Sequence, residues 1–283
     1  MMKFFNSNKF NSIVSNRIPF IVKQNTRFIT IPQKRMLSSA PTKINNEFIP
    51  NNTSATPFQL YYKKVAITTS KLLSTTALSS ASTVGVGALL ASHNMIPSMM
   101  VCGAVWFGSF LGSLYHGYYI GHPNKTEKQS LYHAYCMQGF MGVVIAPSLM
   151  IFHQFIPHAL ITTTALVAGS VTSAFMMPKG SMLVFGPALY TSLWGLVGVS
   201  LTSVCSHLLG FHSFGMAMHN IDLYAGVLLF AIYNIYDTHV LISDFERGVQ
   251  NYIQHSVDYS LNFINIFIRL LEIFAKASQI KKD

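Results

Sequence analysis

Residues 72–124, 129–178 and 180–221 contain no Asp, Glu, Lys or Arg. No other feature constrains the fold as tightly. A bilayer core about 30 Å thick takes roughly 20 helical residues to cross. The first two stretches are each long enough for two crossings and a short turn. The third holds one crossing and the beginning of another. Lipid offers backbone N–H and C=O groups no partners, whereas a helix satisfies its own, so these stretches predict helices. A very apolar soluble bundle would carry polar stripes at helical spacing, and the stretches show none.

The rest of the composition agrees. The chain is 51% hydrophobic and 10% charged, with a mean hydropathy of +0.38, against roughly 25% charged residues in soluble domains. Cys102, Cys136 and Cys205 all fall inside predicted spans. Their spacing suits neither a disulfide framework nor a zinc site, and buried apolar packing is the expected role.

Residues 1–40 read as an address. They carry Lys3, Lys9, Arg17, Lys23, Arg27, Lys34 and Arg35, and the first acidic residue is Glu47. Their apolar residues are dispersed, unlike the continuous core of a secretory signal. Arg- and Ser-bearing, acid-poor sequence is the mitochondrial presequence pattern. Without residues 1–40 the net charge falls from +10 to +3, so nucleic-acid binding has no support. Residues 41–64 read as a polar linker, 65–276 as the membrane domain and 277–283 as a basic tail.

The expected fold class is an all-α polytopic membrane protein of seven helices, near 66–92, 96–120, 131–154, 158–177, 183–209, 219–243 and 257–276. Pro97, Pro157 and Pro187 fall near helix starts, Pro123 and Pro178 near ends, and Pro147 inside the third. The second helix carries Gly108-x-x-x-Gly112 and Gly117-x-x-x-Gly121, a spacing that lets helices approach closely. Internal packing is the expected use. Lys63, Lys64, Lys125, Lys128, Lys179 and Arg247 lie in the amino-terminal flank and alternate loops, whereas the loops near 93–97, 154–158 and 210–218 have no Lys or Arg. The positive-inside rule puts the first set on the matrix side of a mitochondrial inner membrane. Lys276, Lys281 and Lys282 conflict with an odd number of crossings. Either the last segment re-enters, or the tail overrides the rule.

Asp237 is the leading candidate for chemistry. It follows the apolar run GVLLFAIYNIY, residues 226–236. An Asp at a helix centre costs roughly 2.5–3.5 kcal/mol to insert, and such a residue usually faces a cavity or ion path. The plain alternative is an interfacial Asp that ends the span ahead of Asp244, Glu246 and Arg247. In the last segment Asp258, Asn262, Asn265 and Arg269 recur at intervals of four, three and four and share one helical face. That face points into the bundle, or else the segment is an amphipathic helix lying on the membrane. The histidines are weaker candidates. The spacings of His207 with His212 and His153 with His158 suit a helical metal pair poorly, and His116 is a minor candidate as a proton carrier.

These segments resemble a known family. YAGVLLFAIYNIYDTHVLI, 224–242, resembles the sixth helix of the transmembrane Bax inhibitor motif family, with its Tyr-Asp-Thr signature at Tyr236, Asp237 and Thr238. LNFINIFIRLLEIF, 261–274, resembles the closing Asp-Phe-Ile-Asn-Leu-Phe motif of that family. GFMGVVIAPSLM at 139–150, AFMMPKGSMLVFGPALYTSLWGLVGVSL at 174–201 and GVQNYI at 248–253 are similar to its mitochondrial branch, the growth-hormone-inducible transmembrane proteins. The resemblance implies seven helices with the last one central, calcium leak or calcium–proton exchange, and resistance to cell death. For the mitochondrial branch it also implies cristae organisation. It further implies an ion site of two aspartates, the first at Asp237 and the second at a position that here reads Asn262.

That departure matters. Calcium prefers several oxygens, carboxylates above all. Two close carboxylates can trade a proton for a cation. Asn262 keeps an oxygen but removes the second titrating group, and Asp258, one turn earlier, is the available substitute. The expected ion set is therefore Asp237, Asn262 and Asp258, with calcium held at Asp237. Calcium and protons are the expected cargo, the bilayer and inner-membrane proteins the expected partners, and no cofactor is implied. A non-transporting organiser of the inner membrane is the competing reading. Enzymatic activity is not expected, since an intramembrane aspartyl protease needs a second carboxylate and a Gly-x-Gly-Asp, and no Gly-x-Ser-x-Gly is present.

Overall fold

The computed structural model describes residues 56–93, 99–120 and 125–280. Residues 1–40, most of the expected linker and residues 281–283 of the tail lie outside them, as do Pro97, Gly121 and Pro123. Among the described residues seven α-helices follow in order: α1 Pro57–Ser92, α2 Met99–Ile120, α3 Glu127–Ile151, α4 Ile156–Met176, α5 Gly186–Leu208, α6 His212–Glu246 and α7 Tyr252–Ile280. Short 3-10 turns, His153–Phe155 and Ser181–Phe185, lead into α4 and α5. There is no strand among the described residues. Five segments are long and apolar enough to cross a membrane: α1, α3, α6, and α4 and α5 with their leading turns. Helix α2 is free of charged residues, while α7 carries charges and buries much of its surface in the bundle.

Local chemistry sets the boundaries. Thr56 caps α1 reciprocally: its Oγ1 accepts the Gln59 N–H at 3.3 Å, and Gln59 Oε1 accepts the Thr56 N–H at 2.8 Å. With Pro57 at the first helical position, this is a strong start signal. Helix α1 therefore begins at Pro57, ahead of the expected domain edge at 65, because Tyr61 and Val65 already bury against the bundle. Thr126 and Gln129 form the same box at α3. Helix α6 begins at His212 and α7 at Tyr252, each earlier than their apolar runs alone suggest. Gly210 and Gly248, with φ of +85° and +76°, end the turns before them, a conformation that favours glycine.

The bundle has two distinguishable ends. At one, Lys64 pairs with Glu127 at 3.4 Å, Lys179 with Glu246 at 2.6 Å, and Tyr252 donates to Glu127 at 2.7 Å. Phe58 meets both Phe175 and Phe245 there. The basic flank and the basic loops thus share one end, as the charge pattern requires. At the other end His219 pairs with Glu272 at 3.1 Å, and Lys276 donates to Asn220 at 2.9 Å. Helix α7 is one unbroken helix between the two ends of the bundle, and Lys276 lies at the end opposite the basic loops.

Helix α7 packs against α1, α3, α4 and α6 and is central, as the resemblance implies. Buried polar side chains join it to its neighbours. Thr76 on α1 donates to Gln138 Oε1 at 2.7 Å, and Gln138 Nε2 on α3 donates to Ser260 Oγ on α7 at 2.6 Å. Small residues permit close seams: Ser80 donates to the Gly142 carbonyl at 3.0 Å, and Gly112 and Gly117 of α2 face Phe140 and Met137 of α3. Those two glycines serve internal packing, whereas Gly108 meets no neighbour.

Candidate functional site

A cavity of about 420 Å³ lies between α5, α6 and α7. Leu193, Leu196, Val197 and Ser200 line it from α5, and Phe230, Tyr233 and Asp237 from α6. From α7 come Asp258, Leu261, Asn262, Asn265 and Arg269. The polar face expected on the last helix is the face that meets the cavity, so α7 is not a helix lying on the membrane. From Asp258 to Arg269 that face extends about 16 Å along the helix axis, at 1.5 Å per residue.

Asp237 sits in the carboxyl-terminal third of α6, on the wall of the cavity. Glu246, the end of α6, lies nine positions further on, about 13 Å along the helix axis, so Asp237 does not end the helix. Asn262 Nδ2 donates to Asp237 Oδ2 at 2.6 Å and lies 3.4 Å from Asn234 Oδ1. The amide therefore meets the carboxylate through its nitrogen, and the oxygen expected of Asn262 as a cation ligand is turned elsewhere. Asp258 accepts a hydrogen bond from Gln254 Nε2 at 2.9 Å and opens on the same cavity. The three expected residues are thus brought to one cavity, two of them in direct contact. Beside them Thr238 and Tyr259 join α6 to α7 through their hydroxyls, 2.7 Å apart.

The far end of the cavity holds a pair that residue-by-residue reading missed. Arg269 Nη2 lies 3.2 Å from Asp222 Oδ1, and its Nε donates to the Asp222 carbonyl at 3.3 Å. Nη1 donates to Asn265 Oδ1 at 3.1 Å, Ser200 donates to Asp222 Oδ1 at 2.7 Å, and the guanidinium lies over the Phe230 ring at 5.1 Å. Both side chains are only 14% exposed. A buried Arg needs such a partner, because an unpaired buried charge is costly. The available signal was an acidic residue in the first third of α6 and a basic one in the second half of α7, each flanked by apolar residues. Gly226 leaves room for Arg269, since any Cβ there would overlap its side chain.

The histidines divide differently from their spacing. His207 and His212 bring their rings to 5.9 Å, and His207 Nδ1 contacts the Ser203 carbonyl at 2.8 Å. His153 contacts its own helix end, and His158 meets Phe274. His116 pairs with His133 of α3, a partner not legible from spacing. No cluster of three His, Cys, Asp or Glu suited to a metal occurs among the described residues. Chemically, the cavity offers two carboxylates, two amides and a neutralised Arg–Asp pair in an apolar wall.

Comparison with known proteins matches this architecture. A family model described as Inhibitor of apoptosis-promoting Bax1 matches residues 65–279. Probable Bax inhibitor 1 of Paralichthys olivaceus is 29% identical over 182 residues, covering 62% of this chain and 73% of its own. Bax inhibitor 1 of Homo sapiens is 28% identical over 165 residues, 57% of this chain and 67% of its own. Growth hormone-inducible transmembrane protein of Rattus norvegicus is 30% identical over 151 residues, 51% of this chain and 43% of its own. No solved structure matches. With the family model covering every described helix but the first turns of α1, this seven-helix membrane protein belongs to the Bax inhibitor family.

Proposed function

We propose that this protein passes calcium across the mitochondrial inner membrane, as a leak or in exchange for protons, through the cavity that Asp237 lines. The observation that carries the reading is the cavity itself. Asp237 and Asp258 both open on it between helices of an apolar bundle, where an unused carboxylate would be a net cost. In this mechanism Asp237 is the principal cation ligand. An approaching cation displaces the Asn262 amide, whose rotation presents its oxygen, and Asp258 supplies the second negative charge. Two carboxylates and amide oxygens make a hard-oxygen set of the kind calcium prefers. The Arg269–Asp222 pair is electrically closed and leaves the acidic end to attract cations.

The organelle reading is supported by the acid-free basic segment 1–40 and by basic loops sharing one end of the bundle. Support of cristae organisation and of cell-death resistance belongs to the same proposal and follows from the family resemblance. A second reading, a non-transporting organiser of the inner membrane, is favoured by one observation. The bond from Asn262 to Asp237 ties α6 to α7, a purely structural use of the same carboxylate.

Cells lacking the protein separate these readings. Re-expressed wild-type chain is expected to locate to the inner membrane and to restore both calcium efflux and cristae shape. Asp237→Asn is expected to accumulate normally yet fail to restore efflux. Full restoration of efflux by Asp237→Asn would leave the organiser reading standing.

A further inference from the structure

At the basic end of the bundle, away from the acidic cavity, the Nδ1 atoms of His116 on α2 and His133 on α3 lie 2.8 Å apart. Two imidazole nitrogens that close hold a single proton between them, one ring donating and the other accepting. A metal that takes both Nδ1 atoms replaces that shared proton, which moves to the unprotonated Nε2 of the donating ring. Two nitrogens on one tetrahedral metal, each about 2.0–2.1 Å from it, sit roughly 3.3 Å apart. A small opening of the pair admits such an ion.

The rings are also held in place. His116 stacks on Phe140, with centroids 5.7 Å apart, and His133 stacks on Tyr119 at 5.5 Å. Both histidines are half-buried, close to the end of α2 and the beginning of α3, so an ion arriving from the basic end has a short path. Lys125, over the Tyr119 ring at 5.1 Å, is the nearby fixed charge. No third His, Cys, Asp or Glu completes the set among the described residues. We infer that His116 and His133 form a two-histidine site for a borderline divalent metal of the zinc or copper class, with water in the open positions. Imidazole selects these ions over calcium, which wants oxygen. With two protein ligands the site is exchangeable, and its occupancy pins α2 to α3.

Titration of the purified full-length chain in detergent with zinc chloride, followed by calorimetry, tests this directly. Wild type is expected to bind zinc at micromolar concentrations. Saturating zinc should raise its melting temperature, because a ligand of the folded state stabilises it. His116→Ala and His133→Ala should each weaken binding by about tenfold or more, as expected for loss of a ligand, and abolish the shift. The metal-free melting of each variant, read beside its titration, shows whether it is folded. His207→Ala, at the opposite end, should bind as wild type does. Wild type that takes up no zinc, or zinc affinity that stays within twofold in both folded variants, overturns the inference.

Discussion

Asn262 on α7 donates its side-chain amide to the Asp237 carboxylate on α6, 2.6 Å away. The contact replaces what a second aspartate would make a pair of like charges. Asn262→Asp restores two titrating groups at that distance, which share a proton at low pH and lose it to water at higher pH as a cation takes its place. The variant is expected to give calcium flux rising more steeply with pH than wild type, measured in vesicles across pH 5–8. Superimposable profiles would remove position 262 from the ion path.

Arg269 and Asp222 are expected to behave as one unit. Arg269→Ala leaves a buried carboxylate unpaired, and Asp222→Ala leaves a guanidinium so, each costing about 3–5 kcal/mol. The double variant should cost well under the sum of the two. Thermal unfolding in detergent gives the three values, and additivity within about 0.5 kcal/mol would contradict the pairing.

Gly142 and Gly139, three residues apart on α3, should respond oppositely to alanine. A Cβ at Gly142 would lie 2.5 Å from the Thr76 carbonyl oxygen and 2.7 Å from Ser79 Cβ, whereas at Gly139 it meets nothing within 4 Å. Gly142→Ala should destabilise by about 1–3 kcal/mol through overpacking of the α1–α3 seam, while Gly139→Ala stays within about 0.5 kcal/mol of wild type. Melting curves decide it.

The two ends of α7 lie at opposite ends of the bundle, which makes its topology testable. With Cys102, Cys136 and Cys205 replaced by serine, Val249→Cys and Ala277→Cys should react with an impermeant maleimide from opposite sides of sealed, oriented vesicles. Both positions are exposed. Labelling from one side would mean that the last segment re-enters.

Much of this was legible in the residues. The charge-free stretches announce the spans because inserting a charge is costly, and the intervals from Asp258 to Arg269 place one polar face on α7. The choice between bundle interior and membrane surface was not legible, because periodicity shows that a stripe exists and not what it faces. Helix starts moved earlier for a similar reason: Thr56, Pro57 and Gln59 look like linker by composition, yet they form a cap. The pairing of Asp222 with Arg269, the clamp of Thr76, Gln138 and Ser260, and the approach of His116 to His133 all join distant segments. Only tertiary packing brings those partners together.

Calcium flux into dye-loaded vesicles by the purified chain tests the central claim most directly. Wild type is expected to admit calcium, Asp237→Asn to lose most of that flux, at least about tenfold, and Asp258→Asn to lose less. These changes follow from removing the principal and the secondary carboxylate of a hard-oxygen site. Unchanged flux in a folded Asp237→Asn variant would contradict the account.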